Sequence, residues 1–136
     1  MSDSVVDPRH QKRMKLMQML FARGFNDLIG QEKIDQSGAN LNADYDHMID
    51  QIIAESEELD KQILEVAPER PVSEINRVDL AILRQILFEA KYKETPKKVL
   101  INEAVELAKE FGTESSPKFV NGVLGKLLIQ GNNDTK

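Results

Sequence analysis

Thr95-Pro-Lys-Lys-Val-Leu-Ile-Asn-Glu-Ala-Val-Glu-Leu-Ala-Lys-Glu-Phe-Gly112, followed after three residues by Ser116-Pro-Lys-Phe-Val-Asn-Gly-Val-Leu-Gly-Lys-Leu-Leu-Ile-Gln-Gly131, carries the spacing that decides the fold. Its apolar residues return every three or four positions: Leu100, Ile101, Ala104, Val105, Ala108 and Phe111, then Phe119, Val120, Val123, Leu124, Leu127 and Leu128. That is the period of one helix face, not the alternation of a strand. Thr95-Pro96 and Ser116-Pro117 each pair a capping hydroxyl with a proline suited to a first helical turn. Gly112 and Gly131 are expected just past the two helix ends, Gly112 in the left-handed conformation that glycine adopts without penalty.

Working toward the N-terminus, Asn76 with Asp79 three residues on predicts a helix start, and Val78, Ile82, Leu83, Ile86, Leu87 and Ala90 supply its buried stripe as far as Tyr92. Tyr45, Met48, Ile49, Ile52, Ile53, Leu59, Ile63 and Val66 keep one helical period from about Ala43 to Ala67, ended by Pro68 and Pro71. The first helix has Asp7 as N-cap and Pro8 at its first position. Met14, Met17, Leu20 and Phe21 form its stripe and Gly24 is its expected stop, before a short helix around Asp27–Gly30 and a connection from Gln31 to Asn42. No alternating run suits a strand, and no repeat is visible. The expectation is an all-α domain of five or six helices, with two sub-bundles meeting near the Pro68–Pro71 break and ends frayed at about 1–6 and 130–136.

The 136 residues are 40% apolar, enough for one domain with an ordinary core, and contain no cysteine, which removes disulfides, thiolate metal sites and a thiol nucleophile. No apolar run approaches the ~20 residues that cross a bilayer and no signal pattern opens the chain, so a soluble cytoplasmic protein is expected. The net charge of −5 is unevenly spread: residues 1–25 carry +3, residues 26–66 carry −9 and residues 67–136 carry +1. An acidic molecule with a basic end can still meet phosphate there.

Catalytic and metal readings fail on their own requirements. Asp44, Asp46, Asp50 and Glu55 fall at positions 1, 3, 7 and 12 of a calcium-loop numbering, but Ile49 stands where the sharp turn demands glycine. His10 and His47 belong to no metal or acid–base arrangement, and neither phosphate-cradling glycine string occurs. No cofactor and no enzymatic activity are expected. Gly122-Val-Leu-Gly125 matches the clamp of a KH domain only in letters, since it interrupts a helical stripe; two helix glycines cost about 1 kcal/mol each relative to alanine, which predicts close approach of another helix or of a ligand backbone. What remains is the basic first helix, Arg9, Lys12 and Arg13, with Lys118, Lys126 and the Asn121 amide as helpers for phosphate, and Phe21 or Phe119 as core residues able to stack a base.

Val99 to Gly112 and Lys118-Phe-Val-Asn-Gly-Val-Leu124 resemble the signature of the NusB family of bacterial transcription antitermination factors. Asp79-Leu-Ala-Ile-Leu-Arg84 and Phe88-Glu89 are similar to the family's preceding helix, and Arg9 to Phe21 to its arginine-rich opening helix. The resemblance implies a single RNA-binding domain over residues 1–136, built of two packed three-helix sub-bundles. It also implies binding of the boxA element of ribosomal RNA leader transcripts together with NusE, a small-subunit ribosomal protein, within the RNA polymerase antitermination complex. On that resemblance Arg9, Lys12 and Arg13 contact RNA, while Phe21 and Asp79 lie at the NusE and RNA contact surface; Lys118 and Asn121 join the RNA-binding set from the reading of charge and amide above. Where family members more often carry consecutive arginines and a tyrosine, this chain has Arg9-His-Gln-Lys-Arg13 and Phe21. The same resemblance implies a second class, since a NusB-like domain also fronts certain rRNA cytosine methyltransferases, although this chain has no cysteine to serve as their nucleophile; a third class, an acidic helical adaptor that binds only protein, follows from the charge.

Overall fold

The structure is a computed structural model, described over residues 7–29 and 43–130. The expected connection at Gln31–Asn42, the stop at Gly131 and the two end segments lie outside these residues, apart from Gln130. Six α-helices follow one another among the described residues: α1 (Pro8–Ile29), α2 (Ala43–Ala54), α3 (Ser56–Val66), α4 (Arg77–Tyr92), α5 (Lys97–Phe111) and α6 (Ser116–Leu124). The last runs on as a π-helical stretch, Gly125–Gln130, and a single 3-10 turn, Val72–Glu74, lies between α3 and α4. The described residues contain no strand, so the fold is all-α. Chain contacts divide it into two compact units, Met1–Ile53 and Ala54–Lys136, a boundary earlier than the Pro68–Pro71 break.

In the first unit, α1 begins as its sequence dictates. The Asp7 Oδ1 accepts from the Arg9 N–H at 2.9 Å, the Gln11 N–H reaches the Asp7 carbonyl at 3.1 Å, and Pro8 occupies the first helical position. Leu16, Met17 and Leu20 are buried on α1, as are Ile49 and Ile52 on α2. Gly24 does not stop α1, which continues to Ile29 and so takes in residues 27–29 of the short helix expected at Asp27–Gly30, Gly30 lying outside the described residues. Glycine in a helix costs only about 1 kcal/mol, too little to end a helix that tertiary burial holds elsewhere along its length.

In the second unit α4 is the central element, packed against α3, α5 and α6. Neighbours on several sides explain why burial on α4 is not one stripe: Leu80, Ala81, Ile82, Leu83, Gln85, Ile86, Leu87 and Phe88 are all buried. Each buried leucine or isoleucine contributes roughly 1.5–3 kcal/mol of transfer free energy. Asn76 caps α4 as expected, its Oδ1 accepting from Val78 N–H at 2.8 Å and Asp79 N–H at 3.2 Å. The Arg84 guanidinium reaches the Asp60 carboxylate on α3 with both forks, Nε–Oδ1 at 2.9 Å and Nη2–Oδ2 at 2.7 Å.

Three local expectations are corrected here. The helix expected over Ala43–Ala67 is broken at Glu55, whose side chain accepts from Tyr92 Oη and from Lys91 Nζ at 3.0 Å, fastening the joint to the end of α4. The Tyr92 hydrogen bond, and after it that of Lys91, hold the Glu55 carboxyl below its ordinary pKa. Neither expected hydroxyl cap forms: the Thr95 hydroxyl donates to Glu89 Oε2 at 2.9 Å and Pro96 stands at the cap position of α5, while Ser115 stands at that of α6 without a side-chain cap and Ser116 is already helical. Gly112 ends α5 in extended backbone, φ −94° and ψ −162°, not in the left-handed region. Its requirement is steric: a Cβ there would sit 2.4 Å from Ser116 Oγ, 2.6 Å from Ser116 Cβ and 2.9 Å from the Ala108 carbonyl oxygen.

Candidate nucleic-acid interface

The basic opening of α1 is built by its cap. With no acidic residue in the first turn and the backbone N–H groups of that turn pointing outward along the helix axis, the N-terminal end is electropositive before side chains are counted. Arg9 and Lys12 are exposed and Arg13 is half-buried, where the stripe begins that Leu16, Met17 and Leu20 carry inward. Arg9 keeps 80% of its side chain in water, with the Asp7 carboxylate 3.6 Å from its Nε. That exposed ion pair contributes little and leaves most of the guanidinium accessible. Arg23, farther along, is paired with Asp50 of α2. Phe21 is half-buried on the same helix.

In the second unit the outward face of α6 carries Lys118, Asn121 and Gly122, and the π-helical stretch that continues it carries Lys126, all exposed, while Val120, Val123 and Leu124 point into the core. One edge of this face borders a shallow groove of about 350 Å³ lined by Lys98, Ile101, Asn102, Asn121, Gly125, Ile129 and Gln130. A Cβ at Gly122 or Gly125 would meet nothing within 4 Å, so the close approach of another helix expected there does not occur among the described residues. At the other edge lies Phe119, half-buried, with the Arg70 guanidinium over its ring, Cζ 4.4 Å from the centroid.

Asp79 sits behind that edge, 3% exposed. Ser116, wholly buried at the start of α6, accepts the Thr113 N–H at 2.9 Å and hydrogen-bonds the Asp79 carboxylate, while Asp79 Oδ1 has no hydrogen-bond partner. Loss of water raises the Asp79 pKa above its ordinary value, and the Ser116 hydrogen bond and the Arg70 charge act in the opposite sense. Asp79 therefore ties the starts of α4 and α6 together from inside. Arg70 is the residue that sequence reasoning missed: it stands 49 positions from Phe119 and belongs to no local motif. Among the described residues no three of His, Cys, Asp and Glu converge as metal ligands, and Asp46 and Asp50 lie along the helix α2.

Set beside known proteins, the chain matches the model of the NusB family over residues 10–128. The chain belongs to the NusB family. The transcription antitermination protein NusB of Campylobacter concisus is 34% identical over 127 residues, covering 88% of this chain and 95% of that protein. The protein of the same description from Ligilactobacillus salivarius is 36% identical over 127 residues, covering 88% and 97%. That from Roseiflexus castenholzii is 56% identical over a shorter 73 residues, about half of each chain. Among solved structures, T. maritima NusB superposes with a TM-score of 0.74 at 28% identity, covering 90% of this chain and 92% of that one. As a NusB-family member the chain is a transcription antitermination protein, and none of its described helices is long and apolar enough to cross a membrane.

Proposed function

We propose that this NusB-family protein acts in the cytoplasm as a non-catalytic RNA-binding factor. It binds the boxA element of ribosomal RNA leader transcripts together with NusE, and so enters the RNA polymerase antitermination complex. The observation that carries this reading is the exposed cationic opening of α1 on a chain whose net charge is −5: Arg9 and Lys12 stand in water with Arg13 beside them. Cations there neutralise phosphates and fix the register of a strand, and Lys118 and Asn121 on α6 offer a second cation and an amide able to read a base edge. Phe21 is assigned to the surface shared with NusE. Asp79, in the second unit, is likewise assigned to NusE binding and, buried as it is, serves it by holding the starts of α4 and α6 in place.

The test is a titration of labelled boxA RNA and a scrambled RNA of equal length at fixed salt, with and without NusE. Preference for boxA that strengthens with NusE is expected. Equal affinity for both RNAs in the presence of NusE would refute the reading and leave only charge.

A further inference from the structure

Arg70 lies in the short connection between α3 and α4, and the chain around it is rigid for reasons of composition. Pro68 and Pro71 fix the backbone on either side, the Arg70 N–H reaches the Ala67 carbonyl at 3.1 Å, and the following turn closes with Glu74 N–H to the Pro71 carbonyl at 2.8 Å. Ala67 and Ile75, both buried, anchor the two ends of the connection in the core. Arg70 itself is exposed, yet its guanidinium lies over the Phe119 ring and not freely in solvent. Its charge also acts on the buried Asp79 carboxylate, one of whose oxygens has no hydrogen-bond partner. The guanidinium is thus placed by the ring beneath it, and the residue as a whole stays exposed.

We propose that Arg70, held on Phe119, receives an unpaired base of a single-stranded RNA. The inference rests on the RNA-binding reading above and names a residue that extends it. A guanidinium is flat, delocalised and weakly hydrated, so it stacks on aromatic surfaces where an ammonium does not, and a base offers such a surface whatever its identity. The ring beneath orders the side chain in advance, which lowers the entropy lost when a base arrives. Phosphate partners stand close in sequence: Lys118 immediately precedes Phe119, and Lys126 is exposed in the π-helical stretch that continues α6. A strand that stacks on Arg70 meets these cations along α6, whereas a simple solvated arginine would have neither the ring nor the adjoining cationic face.

The test uses the full chain and a fluorescein-labelled single-stranded boxA RNA, together with a set of the same RNA carrying one abasic nucleotide at each successive position. One abasic position is expected to weaken wild-type binding about tenfold, the scale of one base–side-chain stack. Arg70→Ala is expected to weaken the intact RNA by a similar factor and to make that same abasic position cost nothing further. Arg70→Lys keeps the charge and the salt dependence but loses most of the affinity. Equal abasic penalties in wild type and Arg70→Ala would overturn the proposal, since a merely structural arginine weakens every RNA alike. So would an Arg70→Lys protein that binds as wild type does. Intact RNA affinity with weakened NusE binding in Arg70→Ala would overturn it in favour of a protein contact. Wild-type protein that fails to prefer boxA over scrambled RNA overturns the broader reading and this one with it, whereas a boxA preference untouched by Arg70→Ala overturns this one alone.

Discussion

Asp79 gives up nearly all its contact with water in the folded chain, and the sign of the consequence follows from its raised pKa. Below its ordinary value of 3.8 the carboxyl is protonated in both folded and unfolded chains. As pH rises past that value the unfolded chain loses the proton first, so folding stability falls until the raised folded value is passed. Asp79→Asn keeps the shape and an oxygen for Ser116 but cannot ionise. Its stability relative to wild type should therefore improve between pH 4 and pH 7 in urea unfolding, and a difference that stays flat with pH would contradict the burial argument. Lys12 poses the opposite case, an exposed cation whose removal spares the fold. If Arg9, Lys12 and Arg13 neutralise three phosphates, log affinity for single-stranded RNA falls with log salt at a slope near −2, from about 0.7 per contact, and Lys12→Ala should make it shallower by about 0.7. An unchanged slope would mean that Lys12 touches no phosphate. The cationic residues of α1 were legible because helical spacing and an N-cap are local signals. The burial of Asp79 and the Arg70–Phe119 contact were not, because each depends on which helices meet, and an aspartate three residues past a cap reads equally well as a solvated first-turn charge.

α3 and α4 are joined by the two-pronged Arg84–Asp60 pair, whose side chains keep 24% and 22% of their exposure. Partly buried and bidentate, the pair outweighs a surface ion pair, but residual water limits its worth to roughly 1–2 kcal/mol. Asp60→Asn should lower the urea midpoint by a corresponding amount with an unchanged m-value; a changed m-value would mean that α3 had detached and not merely lost a bond. At the far end of α5, Gly112→Ala places a methyl against Ser116 and the Ala108 carbonyl oxygen, and since a backbone atom cannot yield, a loss of about 1–3 kcal/mol is expected in the same measurement. These elements also show where local reading stops. Periodicity carries through the α2–α3 break because a single turn residue at Glu55 leaves Ile52 and Leu59, seven residues apart, both buried. The break falls where Glu55 is fastened to Lys91 and Tyr92, partners 36 and 37 residues away that no local window of sequence contains. Gly112 was placed correctly past the helix end from its type alone, but its conformation is set by the approach of Ser116 from the next helix.

At the scale of the whole molecule the charge balance argues for cooperation. A net charge of −5, with −9 concentrated in residues 26–66, repels a polyanion over about a Debye length, while the cationic opening of α1 supplies only a few phosphate contacts. On the proposed reading the protein alone binds boxA weakly, and a basic ribosomal protein docked beside the same strand adds both positive charge and buried contact area. Thermodynamic linkage makes this strict: if NusE tightens RNA binding tenfold, RNA must tighten NusE binding tenfold, a coupling of about 1.4 kcal/mol. The coupling has an expected salt signature, because partner charge next to the strand raises the number of phosphates neutralised. The slope of log affinity against log salt should therefore be steeper with NusE present than without it. Isothermal titrations around the full cycle, at two salt concentrations, measure both quantities. RNA affinity that is the same with and without NusE would show that the two proteins do not share a site, and a coupling with no change in salt slope would show that the partner acts through contact area and shape, not through charge.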